Sequence, residues 1–201
     1  MMAKKVLLFL AQGFEAYEAS VFVDVFGWTR EVGIEPVDLV TTGLRPTINC
    51  YWNLIVQPEL AFDQVNADDF DALAIPGGSG DAGFFDDTFD ERFLQLIRDF
   101  DQKKKPIASI CVAAVPVGKS GVLKGRNATT WDLNEGRRRK QLSGFGAKVL
   151  DESIVVDENI ITSTGPATGL GVAFKLLEML TNSDHVSEIR RNMRFQPDQP
   201  L

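Results

Sequence analysis

The sequence predicts one α/β domain built around a mostly parallel sheet. Three observations carry that prediction. β-type and helix-type runs alternate from one end of the chain to the other. No linker, internal repeat or low-complexity stretch breaks the alternation, so residues 1–195 read as a single domain. With 201 residues, 44% of them hydrophobic, the chain can bury a core without a metal or disulfide staple. Residues 196–201 hold two prolines and read as a frayed tail.

The elements follow in order. Residues 5–10 are an apolar run suited to a first strand. Residues 15–31 place Ala19, Phe22, Val23 and Phe26 at helical spacing, with Gly33 as a stop. Residues 37–41 and 53–57 read as strands, the second ended by Pro58. Residues 71–75 are a short buried strand running into Pro76-Gly77-Gly78. A helix capped by Asp87 or Thr88 extends to about Gln102, with Phe89, Phe93, Leu96, Ile97 and Phe100 on one face. Residues 106–110 form a strand, and 112–119 a helix. Short β runs at 127–130, 148–150, 154–156 and 160–163 surround a polar helix over 134–142. A strong helix covers 168–180, and a polar one 183–195.

The net charge of −7, from 21 basic and 28 acidic residues, argues against nucleic acid or an anionic membrane as partner. No apolar run reaches the roughly 18 residues of a spanning helix. The apolar run after Lys5 is too short for a signal peptide, so a cytoplasmic location is expected. Cys50 and Cys111 are then expected to stay reduced, with Cys50 in the core or at a dimer interface. The single histidine, His185, excludes His-rich metal sites and most His-based triads, and its polar helix suggests a surface position. Arg137-Arg138-Arg139-Lys140 reads as a solvated helix face. Asp68-Asp69 and Asp86-Asp87 read as loop and cap residues, because their spacing fits no Ca²⁺ loop.

Sites in open α/β sheets form at the C-terminal ends of strands. One such end is Ser109-Ile110-Cys111-Val112-Ala113. An apolar strand reaches a nucleophile and turns into a helix, with small residues two positions to either side. A helix N-terminus there favours thiolate. A buried structural cysteine fits the same spacing. Gly77 and Gly78 suit backbone amides that hold a developing oxyanion, or a plain loop. Glu15 follows the first strand, where it can complement the helix dipole or enter a site. Trp131, Trp52 and Tyr51 suit a pocket wall or the core.

Together these segments resemble the DJ-1/PfpI (ThiJ) superfamily, nearest its DJ-1-like branch. The carriers are Gly13-Phe14-Glu15, Leu73-Ala74-Ile75-Pro76-Gly77-Gly78, Ala108-Ser109-Ile110-Cys111 and Thr162-Ser163-Thr164-Gly165-Pro166-Ala167-Thr168, in that order between about residues 5 and 180. The resemblance implies a flavodoxin-like three-layer sandwich that dimerises. It makes Cys111 the reactive cysteine, Glu15 its acidic partner, and Gly77, Gly78 and Val112 the facing amides. Trp131, Thr164, Gly165 and Pro166 are the corresponding pocket candidates. A protonated Glu15 donating to sulfur would stabilise thiolate, whereas a charged one would disfavour it.

Departures are specific. Val112 stands where protease-like members carry histidine, which argues against peptidase activity. Ala113 replaces a frequent glycine, Trp131 a frequent histidine after Thr129-Thr130, and Thr164 a basic residue. The resulting expectation is a cysteine-dependent enzyme acting on small reactive carbonyls, glyoxalase- or deglycase-like, needing no cofactor or metal. Cys111 would be the nucleophile and Glu15 the proton carrier. The alternatives are a redox-sensing or stress-protective protein oxidised at Cys111, and the thiamine-biosynthesis role attached to ThiJ relatives.

Overall fold

Four strands whose side chains are almost wholly buried set the centre of the fold. They are β1 (Lys4–Phe9), β6 (Ala72–Ile75), β7 (Ile107–Ser109) and β11 (Ile160–Ser163). Such continuous apolar runs suit parallel strands covered on both faces. The structure is a computed structural model that describes residues 3–32 and 35–196. Gly33, the expected helix stop, and residues 197–201 of the expected tail lie outside that range.

The remaining strands are β2 (Val37–Gly43), β3 (Ile48–Asn49), β4 (Ile55–Val56), β5 (Leu60–Ala61), β8 (Asn127–Ala128), β9 (Lys148–Val149) and β10 (Ile154–Asp157). The main sheet has the order β10-β11-β7-β6-β1-β2-β5. Every neighbouring pair is parallel except the edge hairpin β10–β11. The helices are α1 (Ala16–Val32), α2 (Phe84–Thr88), α3 (Glu91–Gln102), α4 (Ala114–Lys119), α5 (Leu133–Gly144), α6 (Gly169–Leu180) and α7 (Ser183–Asn192). One face of the sheet carries α1, α6 and α7, and the other carries α3 with α4 and α5 outside it. This is the expected three-layer α/β sandwich.

The chain runs from β1 to β2 on one side and returns to β6 on the other. β1 is therefore where strand order reverses, and the C-terminal ends of β1, β6 and β7 converge beside it. The core under this edge is aromatic: Phe9, Phe14, Phe22, Phe26, Phe84, Phe93 and Phe100 are fully buried, and Phe9 stacks on Phe93 at 3.7 Å between centroids.

Several expectations shift. The expected strand at 53–57 is only Ile55–Val56, and it pairs with β3 in a separate hairpin. The edge strand β5, two residues long and not expected from the sequence, follows Pro58. The helix expected from Asp87 or Thr88 is two helices. Asp90 caps the second, its side chain accepting the Arg92 N–H at 2.9 Å. Asp87 is not a cap. It is buried, accepts the Gln12 N–H at 2.8 Å and holds Arg45 through three contacts of 2.8–3.2 Å. His185 is buried rather than at the surface. It shares the inner stripe of α7 with Ile189, four residues on.

Asp87 ties the loop after β1 to the loop after β2 through one carboxylate, with Arg45 half exposed. Asp87→Ala leaves a buried amide and a guanidinium without their acceptor and is expected to cost about 2 kcal/mol. Asp86→Ala, at an exposed neighbour, should cost less than about 0.5 kcal/mol. Urea unfolding of the two variants checks this, and equal midpoints would contradict the assigned role.

Candidate active site

Cys111 opens a 3-10 turn over Cys111–Ala113 that leads directly into α4. Its φ is 60°, a left-handed conformation that disfavours any side chain but suits a strand-to-helix elbow. Thr130 holds the elbow from behind, its hydroxyl donating to the Cys111 carbonyl at 2.8 Å. Ala113 is completely buried, so this position has no room for more than a small side chain. Cys111 itself is 9% exposed, enough for its edge to meet the cleft.

The carboxyl beside Cys111 belongs to Glu18. Glu18 is fully buried on the inner face of α1, in line with Phe22, Val25 and Thr29. Its Oε2 accepts the Gly77 N–H at 2.6 Å, and its carboxyl faces the Cys111 side chain across Gly77. Its Oε1 has no nitrogen or oxygen partner among the described residues. Gly77 fits between the two groups because it lacks a side chain. A Cβ there would lie 2.8 Å from Glu18 Oε2 and 2.9 Å from Cys111 Cβ.

Glu15 occupies a different place from the one the sequence suggested. It caps α1, its Oε2 accepting the Glu18 N–H at 2.8 Å, and its Oε1 accepts the indole N–H of Trp52 at 2.8 Å. Both oxygens are engaged away from the sulfur, and the carboxyl that faces Cys111 is that of Glu18. The signal for Glu18 was present: an acid on the apolar stripe of an amphipathic helix needs a buried partner.

The expected amides also divide. Gly77 N–H is committed to Glu18 and does not face a developing oxyanion. Gly78 bridges Phe14 through Glu15 N–H to Gly77 O at 2.8 Å and Ser79 N–H to Gly13 O at 2.9 Å. That bridge leaves the Gly78 N–H outside its own bonds, and Gly78 lines the cleft. The Val112 N–H acts against the rise of the Cys111 thiol. Of the pocket candidates, Trp131 and Pro166 line the cleft and Gly165 lies against the Trp131 ring. Thr164 turns away, bonding the Ser153 carbonyl through its N–H at 3.0 Å. The cleft measures about 560 Å³ and is also walled by Tyr51, Trp52, Leu133, Arg137 and Arg138.

Burial pushes the Glu18 carboxyl up to about 8, partly offset by the Gly77 N–H. Burial and the facing Glu18 charge push the Cys111 thiol up as well, against the lowered value expected from a helix N-terminus. The short α4 cannot offset that desolvation. The pair instead works as a unit in which the carboxyl holds its proton through neutral pH. Cys50 is buried, and its sulfur accepts the Trp52 and Leu54 N–H groups at 3.1 Å.

A sequence model of the DJ-1/PfpI family matches residues 4–179. This chain belongs to the DJ-1/PfpI family. Among DJ-1/PfpI relatives, protein dj-1beta of Drosophila melanogaster is 29% identical over 194 residues, 96% of this chain and 97% of that protein. A deglycase of Thermococcus kodakarensis is 32% identical over 162 residues, covering 81% of this chain and 90% of the relative. The crystal structure of Drosophila melanogaster DJ-1beta superimposes with a TM-score of 0.84 at 27% identity, over 97% of this chain and all of the other. The DJ-1/PfpI fold, with its flavodoxin-like central sheet, is therefore that of this chain.

Between pH 4.5, the ordinary carboxyl value, and about 8, folded Glu18 keeps a proton that the unfolded chain has released. Folding stability due to this group therefore falls as pH rises through that window. The drop should be on the order of several kcal/mol. Glu18→Gln, which keeps the acceptor for Gly77 and cannot ionise, should remove it. Thermal unfolding of both proteins from pH 5 to 8 checks this, and parallel pH slopes would contradict it.

Proposed function

We propose that the protein is a cysteine-dependent enzyme acting on small reactive carbonyls, with Cys111 as nucleophile and Glu18 as proton carrier. The observation that carries this reading is the Cys111–Glu18 pair at the floor of an aromatic-walled cleft. Relatives named deglycases support it. Near neutral pH a carboxyl pushed up to about 8 is a well-matched proton acceptor and donor. Ionised Glu18 takes the thiol proton as sulfur bonds to the aldehyde carbon. The carbonyl π pair moves to oxygen, which then takes that proton back, giving a neutral hemithioacetal. The Gly78 N–H, lining the cleft, is the amide available to the transient oxyanion.

With an α-oxoaldehyde the hemithioacetal carbon can lose its C–H proton to the same carboxyl. Returning it to the neighbouring carbon gives a thioester, and water releases a 2-hydroxy acid. One carbon is oxidised as its neighbour is reduced, so the sum is addition of one water. Glu15 acts at a distance, fixing the start of α1 and the Trp52 side of the cleft. A homodimer, as the family resemblance implies, would cover the exposed apolar side chains Tyr17 and Val23 of α1.

Purified protein is expected to consume methylglyoxal without added glutathione, at a rate that rises with pH towards a plateau above about 8 as Glu18 ionises. Cys111→Ser should abolish the activity. Glu18→Gln should lower it by roughly 100-fold or more and flatten the pH profile. Glu15→Gln should keep most of it. Wild type no faster than Cys111→Ser would move the assignment to a redox role for Cys111.

A further inference from the structure

The basic run at 137–140 is not one uniform solvated face. Arg139 pairs with Asp151 at 2.8 Å, and Lys140 is exposed. Arg137 and Arg138 instead line the cleft that holds Cys111. Three successive left-handed residues precede them: Asn134, Glu135 and Gly136, with φ of 55°, 59° and 67°. Two of these are not glycine, a conformation that side chains rarely adopt. Right-handed helix resumes at Arg137.

Arg138 is held in place without a counterion. Its guanidinium lies 4.3 Å from the centroid of the Phe85 ring and donates to Gln141 Oε1 at 2.9 Å. Neither Arg137 nor Arg138 makes an ion pair among the described residues. The carboxylates of the cleft do not supply one. Both Glu15 oxygens accept other N–H groups, Glu18 keeps its proton through neutral pH, and Asp81 lies beyond ion-pair distance. Burial and the Arg137 charge hold the Arg138 guanidinium below its ordinary value, while Asp81 and then ionised Cys111 favour its charged form. Two adjacent arginines, Arg137 exposed and Arg138 partly buried, thus bring guanidinium groups without an ion-pair partner to the wall of the cleft that holds Cys111.

We propose that the cleft selects electrophiles carrying a carboxylate next to the reactive carbon, with Arg137 and Arg138 as the anion-recognising pair. The proposal deepens the carbonyl-enzyme reading by naming a substrate class, the α-oxo acids and aldehyde acids. Its test does not depend on turnover. Iodoacetate and iodoacetamide present the same carbon to a thiolate, which displaces iodide in each case, and they differ by one negative charge.

Peptide mapping should give the iodoacetate-to-iodoacetamide rate ratio at Cys111, measured against the same ratio for glutathione. In wild type the Cys111 ratio should exceed that of glutathione by about tenfold, and it should fall as salt is raised. Arg137→Gln/Arg138→Gln should return it to the glutathione value. Arg137→Gln alone, which breaks no contact to Phe85 or Gln141, should give part of the fall. The ratio cancels any general change in thiol reactivity. A wild-type ratio equal to that of glutathione, or one unmoved in both variants, overturns the proposal. Methylglyoxal consumption separately decides whether the enzyme reading stands.

Discussion

The hydrogen bond from Gly77 N–H to Glu18, 2.6 Å long, is the contact on which the site depends. It joins the end of β6 to the inner face of α1 across a gap that a single methyl group would close. The bond does two things at once. It keeps a fully buried carboxyl in one orientation, and it occupies one oxygen so that the other is free to hold the proton. Without that amide the acid would have no stabilising contact strong enough to justify its burial. The strand-to-helix loop at Gly13–Glu15 is zipped onto the same segment by the Phe14–Gly78 bridge, so α1 enters the sheet edge at a fixed angle.

The elbow at Cys111 works against local preference. A non-glycine residue at φ 60° is held there by the Thr130 hydroxyl, by the buried α4 and by the β7 ladder. Desolvation opposes ionisation of the thiol and of the carboxyl together, the thiol the more strongly, so the carboxyl is the first of the two to ionise. Val112 and Trp131 stand at the positions after Cys111 and after Thr130 where a Cys–His pair would draw its histidine.

Much of this was legible in the chain. The alternation of β and α runs led to the parallel sheet, and the small-residue flanks of Cys111 led to the elbow. The acid was placed three residues early. Strand-end reasoning looks to loops, and Glu15 lies on the loop, while Glu18 sits one turn inside a helix and belongs to its apolar stripe. The Gly77 amide was assigned outward because sequence cannot show which way a peptide plane turns. Trp52 and Tyr51 were readable as core or cleft, and a two-residue strand gave no periodicity to choose between them. The break between α2 and α3 was hidden because Asp87, Thr88 and Asp90 are all plausible caps. Asp87 is removed from that role by its place inside α2 and by its contacts to Gln12 and Arg45.

The three site residues lie far apart along the chain. Glu18 comes from α1, Gly77 from the loop after β6, and Cys111 from the turn after β7, which is separated from Glu18 by more than ninety positions. Contacts of such range close late, because loop entropy is lost before they form. The nascent chain thus carries a thiol whose carboxyl is not yet beside it. The Glu18–Gly77–Cys111 arrangement therefore exists only where α1, β6 and β7 have come together.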